Sequence, residues 1–489
     1  MPAKIEKEGI AKKTLYKVCI LLVISNLSSL PLYFALPIIP SFFSAGRITN
    51  RCTILLPSSA SCMYLSPIPI YFDSSNHLHK CIQYHPEQPL RISVCVERLR
   101  EQTNSLKDAC GFTLCDVSSS SSSSTSSYSS AAEDEKSPLT LHQPLTSDEL
   151  AHTKSILGQA HTEGYVNLFL HKCLSSREAR LTKGKDPLGF IGYVDDGDTY
   201  LTTQSYDVCL RVAATWIRSV NQVLQQQQQQ ETATHTNTNA ASKYISSWSS
   251  AAVALTRPPG HHAKKTLANG FCIFNFCASA VIHALQVLQR KKPYPRISVL
   301  DWDVHYGQGT ADILQHYPQV RYVSIHQTPA FPYEGQTREK SGPHRNIFTI
   351  PIVADTSWEG GYRDRYENLA LPFIASPSSI CSEDQRKEKE DDAWIPDLII
   401  ISAGYDALDS DPLASTSLHP GDYGKMIHSL QRHLSDCCSY QIHKHKMPGI
   451  VLGLEGGYQL QKDGTGLDEA VLATVQALVE TSLITKSTE

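Results

Sequence analysis

Apolar positions along this chain fall into two alternating kinds of run. Short continuous stretches rich in Ile and Val, namely Pro69–Phe72, Ile297–Leu300, Val320–Ile325, Ile347–Ile350, Leu398–Ser402 and Gly449–Leu454, read as strands buried on both faces. Longer stretches between them, Ser205–Val223, Asn275–Gln289, Thr310–Tyr317, Arg363–Ile374, Gly421–Leu434 and Gly466–Glu480, read as helices. Strands alternating with helices predict a doubly wound α/β sheet. In such a sheet a ligand site lies beyond the carboxyl ends of the strands.

Polar tracts interrupt the pattern. Ser118–Ser130 is nearly pure serine and leads into the acidic Glu133–Lys136 patch; Gln225–Gln230 opens a Thr/Asn/Ser-rich run to about Ser250; Ser376–Asp392 is polar and of mixed charge. These compositions bury too little apolar surface to order themselves, so inserts near 116–137, 225–250 and 376–393 are expected as surface loops. At the start of the chain, Lys12, Lys13 and Lys17 precede an uncharged stretch from Val18 to Gly46. That order matches a targeting leader, the other reading being a mis-assigned chain start, and residues 1–64 are set apart from a domain at 65–486. Pro31 and Pro37, with Asn26, Ser28 and Ser29, break the apolar run and argue against a spanning helix. The compartment is left open between nucleus or cytoplasm and an organelle such as a plastid.

Composition narrows the class. With 41% hydrophobic and 19% charged residues in 489, the chain can bury a large core. A formal net charge of −4 lacks the basic excess of a nucleic-acid binder, so no direct nucleic-acid binding is expected. Fourteen Cys without a CxxC pair fit free thiols better than a disulfide or zinc-finger framework.

Candidate chemistry gathers at predicted strand ends. Ile297–Leu300 runs into Asp301-Trp302-Asp303-Val304-His305, and in extended chain Asp303 and His305 project to one side. Leu398–Ser402 runs into Tyr405-Asp406 and brings a third donor. Two carboxylates and an imidazole suit Zn²⁺ or another divalent ion with an open position; acidic strand ends that merely cap a helix are the alternative. Arg257-Pro258-Pro259-Gly260 forms a stiff turn before His261 and His262, which suit acid–base work near neutral pH, or else metal ligation or plain exposure. Glu455-Gly456-Gly457-Tyr458 reads either as a turn with a packed ring or as a phenol aimed at a developing oxyanion.

Together these motifs resemble the histone deacetylase family, in particular its class II and acetylpolyamine-amidohydrolase-like branch. His85-Pro86-Glu87-Gln88-Pro89 with Arg91, Asp198-Thr199-Tyr200, Gly270-Phe271-Cys272 with Asn275, Val323-Ser324-Ile325-His326 and Asp411-Pro412-Leu413 extend the match over roughly residues 66–482. The resemblance implies the arginase/deacetylase α/β fold, with a central parallel sheet of about eight strands flanked by helices. It implies one Zn²⁺ on Asp303, His305 and Asp406, with His262 as general base and acid, His261 as a charged orienter and Tyr458 as oxyanion donor. Asp301 and Gln308 would stand behind the two histidines. Gly270, Phe271, Leu413 and either Phe331 or Tyr333 would line a tunnel for an acyl-lysine stem, and a structural K⁺ would use Asp301, Ser324 and the main-chain carbonyls of Asp303 and His305.

The chain departs from the family pattern where Tyr306 replaces a second histidine, where Gln308 stands in place of Asn or Asp, and in the irregular loop Thr328–Gly335. The function implied is hydrolysis of N-acetyl-lysine in an acetylated protein or peptide. The alternatives are an amidohydrolase of small acetylated amines and a silent scaffold. Leu413, where a polyamine-selective relative would carry a carboxylate, favours an apolar gate and a neutral acyl-lysine or an aromatic amide.

Overall fold

The structure is a computed structural model, and it describes residues 67–106, 111–118, 140–194, 197–236, 250–377, 393–439 and 447–482. The expected leader, most of the serine tract and most of the 376–393 insert lie outside those residues. Among the described residues the twelve strands are β1 Ile68–Phe72, β2 Phe112–Asp116, β3 Thr140–His142, β4 Phe190–Tyr193, β5 Tyr200–Thr202, β6 Ala251–Leu255, β7 Ile297–Asp301, β8 Val320–Gln327, β9 Glu339–Ser341, β10 Ile347–Ile352, β11 Leu398–Ala403 and β12 Gly449–Leu454. Ten of them form one sheet in the order β3-β2-β1-β6-β12-β11-β7-β8-β10-β9, and β4 pairs with β5 apart from it. Every neighbouring pair in the large sheet is parallel except β10 with β9. The sheet has ten strands where the resemblance implied about eight, and its two outermost, β3 and β9, are only three residues each.

Alternation along each central strand feeds two cores. Ile70, Phe72, Ile399 and Ile401 face one side, with helices Leu90–Leu106, Pro420–Ser439 and Leu467–Ser482 and the helical turns of 358–374. Tyr71, Leu398 and Ile400 face the other, with helices Ser147–Ala160, Glu163–Leu181, Ser205–Thr236, Phe276–Gln289 and Gln308–Leu314. Both faces are covered, which is why β7, β11 and β12 are buried along their whole length and mostly apolar. Local chemistry sets the helix starts: Thr146 and Glu149 form a reciprocal capping box, and the Asn275 side chain accepts the Ala278 amide at 2.8 Å.

The glutamine run corrects the sequence reading. Gln225–Gln230 is helical, the continuation of Ser205–Thr236. Gln is a good helix former, so a helix nucleated by the buried 205–224 segment propagates through it. Gln227 also donates to the Asp397 carbonyl and Lys291 to Gln228. No helix among the described residues is long and apolar enough to cross a membrane.

Candidate active site

Four adjacent strands of the sheet, β6, β12, β11 and β7, end at one place, and the loop after each delivers one part of a buried cluster. The loop after β6 carries His261 and His262, β7 ends in Asp301 and continues to Asp303 and His305, the loop after β11 carries Asp406, and β12 leads to Glu455 and Tyr458. The Asp303, His305 and Asp406 donor atoms all lie within 4.8 Å of one another. His305 Nδ1 stands 3.0 Å from Asp406 Oδ2 and 3.3 Å from Asp303 Oδ1. The carboxylates are themselves oriented: Asp303 Oδ2 accepts the Gly456 amide at 2.8 Å, and Asp406 Oδ1 the Val304 amide at 2.9 Å. A Cβ on Gly456 would fall 2.1 Å from Asp406 Oδ2 and 2.5 Å from Asp303 Oδ2, so only glycine lets this backbone close over the pair.

Two buried carboxylates around one imidazole fit a divalent cation, since uncompensated charges at this depth are costly. Burial disfavours a charged His305, yet Asp406 and Asp303 hold its pKa well above the ordinary value, so a cation binding here displaces a proton.

The two histidines are held differently. His261 Nδ1 is 3.2 Å from Asp301 Oδ2, which also accepts the Tyr322 hydroxyl at 2.7 Å. Burial opposes a charge on His261, but Asp303 and Asp301 outweigh it and push its pKa up to about 10. His262 Nδ1 donates to Gln308 Oε1 at 2.6 Å. Burial, then the charges of His261 and His305, keep the His262 pKa well below its usual value. The His262 ring is 6.0 Å from that of His305, with Nδ1 committed to Gln308.

Aromatic walls enclose these groups. Phe331 stacks edge-on to His262 at 4.9 Å, whereas Tyr333 is 69% exposed, so of the two residues in that loop Phe331 is the one beside the histidines. Gly270, at φ +54, approaches so closely that a Cβ would sit 2.5 Å from His262 Cδ2. Phe271 contacts Tyr458 edge-on at 5.7 Å. Leu413 is partly exposed on the loop after Asp411, whose carboxylate accepts both the Leu413 and Tyr458 amides, at 2.9 and 2.7 Å. Tyr306 packs on His326, at 4.8 Å between rings. Asp301 and Ser324 pair in register on β7 and β8, but both Asp301 oxygens are taken by protein donors and Ser324 Oγ lies 2.9 Å from His326 Nδ1.

Sequence reasoning missed a buried ionic frame behind the cluster. Glu87 takes two 2.6 Å hydrogen bonds from Arg257 and one of 3.0 Å from Tyr200. Arg91 donates to the carbonyls of Gly457, at 2.8 Å, and Glu455, and its guanidinium lies 4.7 Å from the Tyr458 ring centre. The available signal was isolated charges among prolines and glycines in His85–Arg91 and Arg257–Gly260.

Comparison with known proteins matches the histone deacetylase domain family over residues 85–475. The chain is 34% identical over 284 residues to an uncharacterized protein of Synechocystis sp., covering 58% of this chain and 73% of that one. It is 27% identical over 337 residues to "Histone deacetylase 10, chloroplastic" of Oryza sativa subsp. japonica, covering 69% of this chain and 62% of the relative. A crystal structure of the HDA15 HD domain superposes with a TM-score of 0.55 at 20% identity, over 85% of this chain and 90% of that chain, a likeness of fold.

Proposed function

This chain belongs to the histone deacetylase family, and from that premise we propose that it is a zinc-dependent hydrolase of the acetyl amide of N-acetyl-lysine in proteins or peptides. The observation that carries the reading is the placement of His262. Its Nδ1 is bound to Gln308, so the basic nitrogen of the ring is Nε2, beside the Asp303–His305–Asp406 cluster.

Asp303, His305 and Asp406 would hold the cation, which when bound supplies Lewis-acid polarisation of the amide carbonyl and acidifies the attacking water. His262 takes the water proton at Nε2 and later returns a proton to the departing amine. Its depressed pKa keeps it unprotonated and ready to accept. His261, charged near neutral pH, adds positive potential beside the reacting carbon. Tyr458, whose pKa burial drives far above 10, keeps its proton and donates to the charge developing on the carbonyl oxygen. Phe271 and Phe331 exclude water and grip the apolar acyl-lysine stem, with the uncharged Leu413 at the rim. A structural K⁺ near Asp301 and Ser324 belongs to the same proposal and would draw chiefly on main-chain carbonyls. The leader-like residues 1–64 and the chloroplastic designation of the rice relative support an organelle, such as a plastid, as the compartment; imaging of a fluorescently tagged full-length chain tests this.

The function is tested by incubating the purified protein with acetyl-lysine peptides, acetylpolyamines and N-acetylarylalkylamines, with and without added Zn²⁺. Acetate release from the peptides in the presence of Zn²⁺ is expected. Release only from the small amines would replace the substrate class, and no release from any of them would remove the hydrolase reading.

A further inference from the structure

Glu455 lies at the end of β12, three residues before Tyr458, and is fully buried. Its Oε2 accepts the amides of Gly260, at 2.6 Å, and His261, at 3.1 Å, while Oε1 accepts the Ser402 hydroxyl at 2.9 Å. One carboxylate thus joins the loop after β6 and the segment after β12 to the end of β11. The residues that follow are also fixed: Gly456 by Asp303, the Gly457 carbonyl by Arg91, and the Tyr458 amide by Asp411. A carboxylate buried this deeply is costly unless its lone pairs are filled, and here they are filled by two main-chain donors of the histidine loop.

We propose that Glu455 is a positioning residue that clamps the His261–His262 loop to the Tyr458 segment, so that proton acceptor and oxyanion donor move as one body. The inference rests on the hydrolase reading above for its catalytic consequence but not for the clamp itself. The essential feature is reach: the side chain must be long enough to meet both amides. A misplacement of about 1 Å in such a constellation costs about 10²-fold in rate, which sets the scale of the effect.

The test compares Glu455→Ala, Glu455→Asp and Glu455→Gln in the full-length, metal-loaded protein. Glutamine keeps the reach and an oxygen that accepts both amides; aspartate keeps the charge but is one methylene short. Hydrogen–deuterium exchange of peptides covering residues 257–263 reads the clamp, and kcat and KM on an acetyl-lysine peptide, normalised to bound metal, read its consequence. Faster exchange at 257–263 is expected in the Ala and Asp variants, with kcat down about 10–100-fold, KM within about twofold, and a smaller loss in the Gln variant. Unchanged exchange and unchanged kcat in Glu455→Ala overturn the proposal. So does a Gln variant more impaired than the Asp variant, which would make charge rather than reach the essential feature. If Glu455→Ala does not fold, the order of Asp and Gln decides alone. If the unaltered protein hydrolyses no acetyl amide, the hydrolase reading fails while the exchange data still judge the clamp.

Discussion

Tyr458 is wedged between the Arg91 guanidinium and the edge of Phe271, with its amide on Asp411. Those contacts use the ring and the main chain, so Tyr458→Phe should retain fold and metal. Losing one oxyanion donor costs about 10²–10³ in turnover, the drop expected at saturating substrate, with metal content measured alongside. His262→Ala should cost at least as much, and His261→Ala less, because His261 acts through its charge. Gln308 offers a prediction on pH. Its amide oxygen is a neutral acceptor for His262, so Gln308→Glu would place a carboxylate against Nδ1 and stabilise the imidazolium. The base must be unprotonated to work, so the acid limb of the kcat/KM profile should move to higher pH in that variant. A limb that stays in place would mean that another group controls it.

Among the elements, the helix Ser205–Thr236 has the most to teach. Its glutamine run packs alongside Gly449 and Asp397, so Gln228→Pro should break a helix interior at about 3 kcal/mol and lower the thermal midpoint. Gln225→Ala, on the exposed side, should leave that midpoint nearly unchanged. A composition rule for loops fails here because Gln lacks the turn chemistry of Ser or Asn and simply follows the helix it extends. The six predicted strands lie within those observed, because β1, β7, β8, β10, β11 and β12 are mostly buried and carry the Ile and Val residues that mark them. By contrast, β6 is three alanines, one valine and one leucine, and its place between β1 and β12 comes from tertiary pairing rather than strand preference. The candidate site divides in the same way. Asp303 and His305 lie two residues apart and could be paired by eye. Glu87 with Arg257 and Glu455 with Gly260 are joined across 170 and 195 residues, and nothing local announces such partners.

For the molecule as a whole, the buried frame behind the site governs acid tolerance. Burial alone would raise the Glu87 pKa, but the Arg257 ion pair prevails and holds it at about 2 against an ordinary 4.5. A depressed carboxylate contributes its full stability above 4.5 and loses it as pH falls toward 2, by the linkage of protonation to folding. The urea midpoint should therefore fall across that window, and Glu87→Gln should flatten this part of the profile while lowering stability at neutral pH, because Arg257 is left buried without its partner. A chain starting at residue 65 should fold and keep its activity, since β1 begins at Ile68; an insoluble product would show that the removed segment packs on the domain. The two borders of the sheet carry a further consequence. β3 and β9 are three residues each, mostly exposed, and β9 reads Glu-Lys-Ser. At β9 an incoming strand would find only a stub of ladder edged with charge, and at β3 an equally short stub, both poor templates for edge-to-edge pairing. Among the described residues, ten strands of self-adhesive backbone thus end in short rims that resist edge-to-edge pairing.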